Sequence, residues 1–269
     1  MSSRKIVWIT GGSSGIGLAL ARHYARSGCD IVLLARDPGK LQNAAAECSA
    51  LGASSEQVIS GEPVDVTDSE NLPAVAEGLI AARGLPDLVI LSAGAAANDT
   101  FLDTPPAVFD DLMNINLGGS REVARAVLPG MCERGSGQIA FVCSLAGLMG
   151  IYGYSAYSAS KFAVTGLVQA LRQELAGSGV DIQLVCPPEV DTPMVAAEAA
   201  HAVPQTRFLK DLVGTMQPDV VAGKIARGIE RRKSVIIPGF RAGLMAWCGR
   251  HFPGLFERGS ALLLRWRFK

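Results

Sequence analysis

The segment Ile6–Gly17, which reads IVWITGGSSGIG, passes from a run of β-branched and aromatic residues directly into a glycine-rich turn. A strand that ends in such a turn and leads into a helix lets the backbone approach a pyrophosphate, and the helix N-terminus then offers unpaired N–H groups. Glycine clusters also form plain turns, but this one has a strand pattern before it and a helix pattern after it. The segment therefore predicts the start of a dinucleotide-binding α/β domain.

The rest of the chain alternates strand-like and helix-like runs, which is typical of parallel βαβ units with right-handed crossovers. Its 269 residues are 49% hydrophobic and 19% charged, which suits one large domain with a sizeable core. We expect a single-domain Rossmann-type α/β fold, a doubly wound parallel sheet of about seven strands with helices on both faces. The predicted strands cover residues 6–10, 30–35, 57–64, 88–92, 138–143, 181–185 and 234–237, and one long helix is predicted over residues 106–133.

Two segments break this alternation. Residues 194–216 lie between the sixth strand and the last helix of the pattern, where a lid over an active site belongs. Residues 240–269 have no strand partner, and we expect them to form a C-terminal tail of the domain made by residues 1–239.

Charge and cysteine usage exclude several classes of function. The formal net charge is zero, so nothing indicates nucleic-acid binding. The six cysteines are scattered, and neither they nor His23, His201 and His251 have the spacing of a metal site, so we expect reduced thiols and no metal. The sequence has neither a secretory signal pattern nor a spanning segment, which predicts a cytoplasmic protein.

The end of the second predicted strand distinguishes between the two nicotinamide cofactors. An NAD site usually has an acid there, whereas this chain has Ala35 followed by Arg36. Arg36 can hold a 2′-phosphate bidentately and Lys40 adds a second charge, so we expect NADPH. The alternative is that both are solvated surface charges. The expected contacts in the glycine-rich turn are Gly11, Ser13, Ser14, Gly15 and Ile16.

Two further strand ends are expected to contact the same cofactor. Asp65 follows the third strand and can bond the adenine edge, with Val66 beside it. The fourth strand ends in Ser92-Ala93-Gly94, and the small Ala93 and Gly94 would let the cofactor pass close to the backbone.

Tyr157 and Lys161 are four residues apart in Tyr-Ser-Ala-Ser-Lys and project from the same face of a predicted helix. A phenol has a reference pKa of about 10, and the neighbouring ammonium is expected to lower the pKa of Tyr157. Ser144 ends the fifth strand and can donate a hydrogen bond to a substrate carbonyl. The ordered set of glycine-rich turn, Asn116, Ser144, Tyr157 and Lys161 predicts a nicotinamide-dependent oxidoreductase.

These motifs together resemble the short-chain dehydrogenase/reductase superfamily over nearly the whole chain. The resemblance implies that Tyr157 donates the proton in ketone reduction and that Lys161 also bonds the nicotinamide ribose. It implies that Asn116 holds a water linking Lys161 to solvent, and that Val190 and Thr192 contact the nicotinamide.

The chain departs from the family pattern at two positions. Ser92 stands where the family has Asn, and Pro188 stands where the family usually has Gly. Proline stiffens the turn after the sixth strand, but it should leave Thr192 free to bond the carboxamide.

Within the superfamily, several segments look like 3-ketodihydrosphingosine (3-dehydrosphinganine) reductases, a family of sphingolipid metabolism. They are Ala35-Arg36, Tyr154 to Ala163, Pro187-Pro188 and, in the lid, Thr206-Arg207. This resemblance implies NADPH-dependent hydride transfer to the ketone of a long-chain 3-keto sphingoid base. Two alternatives stay open: reduction of another ketone or a 3-ketoacyl thioester on the same scaffold, and a non-catalytic NADP-binding regulator. Residues 196–203 are mostly apolar, unlike the basic lid that a carrier or coenzyme A needs.

The tail, residues 240–269, carries six basic residues and one acid, Glu257, among Trp, Phe and Leu residues. This mixture suits an amphipathic helix in a membrane interface, which would serve a lipid substrate. We therefore expect peripheral contact with the cytoplasmic face of a membrane. The alternatives are a cover over the core or a contact in a homo-oligomer, for which we expect a dimer or tetramer.

Overall fold

The computed structural model describes residues 4–199 and 202–269. The first two strands have the predicted bounds, whereas the third is shorter than predicted and the seventh is a two-residue strand. The strands are β1 (Ile6–Thr10), β2 (Asp30–Ala35), β3 (Ile59–Pro63), β4 (Leu88–Leu91), β5 (Gly137–Val142), β6 (Val180–Val185) and β7 (Val235–Ile236). All neighbours pair in parallel in the order β3-β2-β1-β4-β5-β6-β7, which confirms the doubly wound sheet.

The helices of the central domain connect these strands across both faces of the sheet. They are α1 (Gly15–Arg26), α2 (Pro38–Ala50), α3 (Leu72–Arg83), α4 (Pro106–Met113), α5 (Ser120–Arg134) and α6 (Ser155–Glu174), followed after β6 by α7 (Pro193–Ala199), α8 (Pro204–Val213) and α9 (Pro218–Glu230). The tail forms α10 (Phe240–His251) and α11 (Pro253–Arg267).

The two-residue repeat of a strand explains how one sheet fills two cores. In β1, Val7 and Ile9 point to the layer that holds α1, α2 and α9. Trp8 between them points to the opposite layer, which holds α3, α5 and α6. All three side chains are buried, so β1 is covered on both faces and lies at the centre of the molecule.

The helix predicted over residues 106–133 is not continuous. A π-helical turn, Asn114–Gly119, separates α4 from α5. Such a turn inserts one residue into the helical spacing and is frequent at functional sites. Here it sets the direction of the buried Asn116 side chain.

The predicted lid contains α7 and α8, although Ala200 and His201 between them lie outside the described residues. The tail packs against the body of the domain, because Ala242 and Ala246 of α10 are buried with Leu145 and Met149. No helix in the described part of the chain combines the length and the apolar character needed to cross a bilayer.

Candidate active site

An open cavity lies at the carboxyl edge of the sheet, where the strand order reverses between β1 and β4. Ligands of open α/β sheets bind at such a reversal. The empty volume of the cavity, which includes open solvent at the mouth, is about 1630 Å³. The predicted site residues that line it are Gly11, Ser14, Gly15, Ile16, Ala93, Gly94, Ser144, Tyr157, Lys161, Val190 and Thr192.

The glycine-rich turn is held against its neighbouring strands by backbone contacts. The Gly11 N–H donates to the Leu34 carbonyl at 2.8 Å, and the Thr10 hydroxyl accepts from the N–H groups of Ser92 and Ala93 at 3.0 Å each. Gly11 has φ +64°, and a Cβ there would lie 2.9 Å from the Ser92 carbonyl oxygen. Only glycine fits this close approach, so the turn brings β1 and β4 together under the cavity.

The N-terminus of α1 has the features of a phosphate cradle. Ser14 is its N-cap and forms no side-chain capping bond, so the first-turn N–H groups have no partner from the cap side chain. Ser14, Gly15 and Ile16 all line the cavity. The chain therefore fits the pyrophosphate of a nicotinamide cofactor at this helix end.

The cofactor residues predicted at the ends of β2 and β3 lie outside the cavity lining. Arg36 is exposed at the end of β2, and no hydrogen bond or ion pair joins it to another residue of the described chain. Lys40 lies 3.7 Å from Asp37, the N-cap of α2. Asp65 accepts hydrogen bonds from the N–H and the hydroxyl of Thr67 through one oxygen.

The remaining predicted cofactor contacts differ in their surroundings. Ser13 is half-buried in the turn, and Val66 is buried against the π-helical turn at Gly119. The Thr192 hydroxyl accepts from the Val195 N–H at 3.4 Å and so caps α7. It keeps its own hydrogen for a further acceptor.

Tyr157 and Lys161 lie one turn apart on α6, as their spacing predicts. The Lys161 ammonium is buried, donates to the Val142 carbonyl at 3.2 Å and lies 5.7 Å from the centre of the Tyr157 ring. Burial raises the pKa of Tyr157, and a hydrogen bond with Ser144 offsets part of that rise. Burial also lowers the pKa of Lys161. The pKa of Tyr157 is therefore raised, opposite to the predicted direction, because desolvation of the phenolate outweighs the hydrogen bond with Ser144.

Asn116 does not line the cavity, and its side-chain amide is bonded to protein groups. Its oxygen accepts from the Ala95 N–H at 2.9 Å, and its nitrogen donates to the Ala95 carbonyl at 3.0 Å and to the Ser160 hydroxyl at 2.9 Å. Gly94 separates it from the catalytic lysine candidate: a Cβ there would lie 2.8 Å from the Asn116 oxygen and 3.6 Å from the Lys161 nitrogen. Asn116 therefore ties the segment after β4 to α6, and the water relay stays a prediction.

The lid contributes charged groups that its apolar composition does not indicate. Glu198 of α7 and Lys210 of α8 line the cavity together with Glu189, which follows β6. Lys210 forms an ion pair with Glu189 and lies 3.7 Å from Glu198. The Tyr154 hydroxyl, at the start of α6, donates to Glu198 at 3.0 Å. We call Tyr154, Glu189, Glu198 and Lys210 the charged cluster. Glu198 is 9 residues after Glu189 and 12 residues before Lys210, a spacing that forms no local sequence pattern, so only the fold reveals the cluster.

The tail supplies a wall of the same cavity. Met245 of α10 and Phe256, Ser260 and Leu264 of α11 line it. The inner face of the tail therefore packs on the body of the domain and lines the cavity. Its outer face keeps large apolar side chains in solvent, with Trp266 75% and Leu262 64% exposed.

The described residues contain no group of three or more His, Cys, Asp or Glu side chains arranged to hold a metal ion. His201, which the metal prediction includes, lies outside those residues.

Comparison with known proteins extends the geometric findings. The family model described as short chain dehydrogenase matches residues 5–202. The chain is 36% identical over 222 residues to a 3-ketodihydrosphingosine reductase of Bos taurus, covering 82% of this chain and 67% of that protein. It is 34% identical over 233 residues to a ketoacyl reductase of Nostoc sp., covering 87% and 78% respectively. The chain thus spans about two thirds of the length of the bovine relative.

A solved structure gives the same fold. A short-chain dehydrogenase from Sphingobium yanoikuyae in complex with NADPH superimposes with a TM-score of 0.78 at 28% sequence identity. The match covers 96% of this chain and 95% of that protein.

Proposed function

Because this chain belongs to the short-chain dehydrogenase family, we propose that it is an NADPH-dependent reductase of a long-chain 3-keto sphingoid base. One observation carries the proposal. Tyr157 and Ser144 line a single cavity that is also lined by the glycine-rich turn and by apolar side chains of the tail. A cofactor and a lipid-like ketone can therefore meet at Tyr157.

The proposed chemistry assigns a separate task to each residue. NADPH, when bound, supplies a hydride to the ketone carbon. Tyr157 donates a proton to the oxygen on which negative charge develops, and Ser144 donates a hydrogen bond to the same oxygen. The raised pKa of Tyr157 keeps the phenol protonated near neutral pH, which suits the direction of reduction. Lys161 lies against the ring of Tyr157 and bonds the nicotinamide ribose.

The proposed choice of NADPH over NADH rests on the end of β2. Ala35 leaves no acid to bond a ribose 2′-hydroxyl, and the unpaired Arg36 guanidinium beside it suits a 2′-phosphate. The Sphingobium relative was solved with NADPH.

The proposed substrate is favoured by the bovine relative and by the chemistry of the cavity wall. Met245, Phe256 and Leu264 present apolar surface to an alkyl chain. A 3-ketoacyl thioester is the second candidate, because the Nostoc relative is a ketoacyl reductase. The mostly apolar lid segment, residues 196–203, disfavours it, because the phosphates of a carrier or of coenzyme A need basic side chains. A non-catalytic regulator is the third candidate, but it would need neither Ser144 nor Tyr157.

Steady-state oxidation of NADPH tests this proposal. Purified protein is assayed with 3-ketosphinganine, 3-ketoacyl thioesters and small ketones, each with NADPH and with NADH. We expect the highest kcat/KM for 3-ketosphinganine with NADPH. A higher value for a thioester would favour the second candidate, and no turnover of any ketone would favour the regulator.

The proposal includes the setting in which the enzyme works. The tail is proposed to belong to the same domain as residues 1–239, which its packing against Leu145 and Met149 supports. Its outer face, with the basic residues of α10 and α11, is proposed to contact the cytoplasmic face of a membrane from which the lipid enters. A homo-oligomer, either a dimer or a tetramer, stays a prediction that light scattering tests.

A further inference from the structure

We propose that Glu198 is the binding site for a substrate ammonium group on the carbon next to the reacting ketone. This inference rests on the proposed function and deepens it. A 3-keto sphingoid base carries an amino group at that position, whereas a 3-ketoacyl thioester or a plain ketone does not. The proposed site would therefore select amino ketones among long-chain ketones.

One oxygen of Glu198 has no hydrogen-bond partner among the residues that the structure describes. The Glu198 side chain is 8% exposed, and its Oε1 atom is buried without a hydrogen bond to any described group. The other oxygen accepts from the Tyr154 hydroxyl at 3.0 Å and lies 3.7 Å from the Lys210 nitrogen. A buried carboxylate oxygen without a donor costs free energy, which a ligand donor would recover.

The charge balance of the cluster favours a cation. Lys210 is the single cation of the charged cluster and serves two carboxylates, Glu189 and Glu198. Glu189 is satisfied further by the Thr215 hydroxyl, which donates to its second oxygen at 2.7 Å. Glu189 is thus engaged by both Lys210 and Thr215, whereas Glu198 has one oxygen without a partner in the described part of the chain. An ammonium at Glu198 would complete the balance.

The position of Glu198 relative to Tyr157 matches an amino group beside a ketone. Tyr154 bonds Glu198 through its hydroxyl, and its ring centre lies 5.2 Å from that of Tyr157. Glu198 therefore lies one aromatic ring away from the proposed proton donor, and both residues line the cavity. In this proposal, a substrate whose ketone oxygen is bound at Tyr157 extends its neighbouring ammonium to Glu198.

Burial raises the pKa of Glu198, and the hydrogen bond from Tyr154 offsets part of that rise. A cation bound to Glu198 favours its ionised form and opposes the effect of burial. The same attraction favours the protonated form of the substrate amine. Binding of the ammonium therefore favours the ionised form of Glu198, and the ionised form of Glu198 in turn favours binding of the ammonium.

The substitution Glu198→Gln tests the site, because it keeps the shape and the acceptor for Tyr154 but removes the charge. Two substrates are compared: 3-ketosphinganine and 1-hydroxyoctadecan-3-one, which lacks only the amino group. We expect kcat/KM for 3-ketosphinganine to fall about 10- to 100-fold, as for the loss of a hydrogen bond to a charged group. The value for 1-hydroxyoctadecan-3-one should stay within about twofold, and so should KM for NADPH.

The matched control is Glu257→Gln, the same change on the exposed face of α11. It should leave the ratio of kcat/KM for the two substrates as in the wild type. Circular dichroism of both variants checks that they fold. Binding of sphinganine, followed by tryptophan fluorescence, should weaken in Glu198→Gln and not in Glu257→Gln.

The outcomes separate this inference from the proposed function. If the wild type reduces both ketones and Glu198→Gln leaves the ratio of their kcat/KM values unchanged, the ammonium site is wrong while the reductase assignment stands. A rise in KM for NADPH in Glu198→Gln would instead assign the carboxylate to the cofactor and overturn the inference. If the wild type reduces neither ketone, the proposed function fails, and the ammonium site fails with it.

Discussion

Tyr157 has a raised pKa because the protein around it disfavours the phenolate. Its spacing from Lys161 predicts their common face on α6, and that prediction holds. The spacing does not reveal how deeply the ammonium is buried or that its nitrogen bonds the Val142 carbonyl. Burial depends on strands that are distant in sequence, so the direction of the pKa shift requires the fold.

Replacing Tyr157 by Phe removes the proposed proton donor and leaves the ring in place. We expect kcat for 3-ketosphinganine to fall by about 10²- to 10⁴-fold, the usual contribution of a positioned acid. The Kd for NADPH, measured by fluorescence titration, should change less than threefold. Retention of more than a tenth of wild-type kcat would reject Tyr157 as the donor.

The pH dependence of the two reaction directions follows from the same raised pKa. Reduction requires the phenol, so its kcat should stay level through neutral pH and fall only as the pH rises toward the raised pKa of Tyr157. Oxidation of sphinganine requires the phenolate, so its kcat should increase with pH over the alkaline range. Profiles of both rates check this, and a reduction rate that falls between pH 6 and pH 8 would contradict it.

Arg36 decides the cofactor in our proposal. Replacing it with Ala should raise KM for NADPH about tenfold and leave KM for NADH unchanged, because only NADPH carries the 2′-phosphate. Arg83→Ala, an exposed arginine at the end of α3, is the matched control. Equal effects of both substitutions would mean that Arg36 is a solvated surface charge.

At the level of the elements, strand positions were predictable and helix irregularities were not. The bounds of β1 and β2 follow from their apolar runs and the turns that end them. The π-helical turn at Asn114–Gly119 contains two asparagines and two glycines, which are weak helix formers but do not by themselves specify a π-turn. It is favoured by contacts that Asn116 makes with Ala95 and Ser160, which are distant in sequence.

The lid is anchored where it meets the segment before α6. Gly153 has φ +76°, and a Cβ there would lie 2.7 Å from a methyl group of Val203 and would also clash with the Thr206 hydroxyl. That hydroxyl donates to the Tyr152 carbonyl at 2.6 Å, and the Val203 N–H donates to Asn98 at 2.8 Å. The start of α8 is therefore fixed over the cavity by close contact with Gly153.

Replacing Gly153 with Ala should loosen this anchor. Gly177→Ala is the control, because Gly177 also has a positive φ, +87°, but no atom within 4 Å of the added Cβ. We expect urea unfolding to give a loss of about 1–2 kcal/mol for Gly177→Ala and about 3 kcal/mol or more for Gly153→Ala. Only Gly153→Ala should also lower kcat/KM. Equal losses of stability would mean that the contact with α8 contributes nothing.

At the level of the whole molecule, the sequence predicts the layer architecture but not how the tail joins it. The periodicity of residues 1–239 is enough to assign a doubly wound sheet. The tail alternates basic and apolar residues, and nothing in that pattern distinguishes Phe256 and Leu264, which line the cavity, from Leu262 and Trp266, which are exposed. The sequence pattern does not predict the charged cluster either, because only the fold brings its residues together.

Membrane contact can be tested without damaging the cavity wall. The double substitution Leu262→Glu and Trp266→Glu changes only exposed side chains of α11. In flotation with anionic liposomes, we expect at least about a tenfold weaker association than for the wild type, because apolar area and attraction to the anionic surface are both reduced. Val220→Glu, an exposed apolar position on α9, should float like the wild type. Equal flotation of all three proteins would contradict the membrane contact.

In the proposed reaction, hydride passes from NADPH to the ketone of a 3-keto sphingoid base in the cavity at the carboxyl edge of the sheet, and this claim can be tested directly. The direct measurement uses NADPH deuterated at both C4 positions with 3-ketosphinganine, and mass spectrometry of the product. We predict sphinganine with one deuterium, located at C3. Sphinganine without deuterium, or no sphinganine while a 3-ketoacyl thioester is reduced under the same conditions, would contradict the claim.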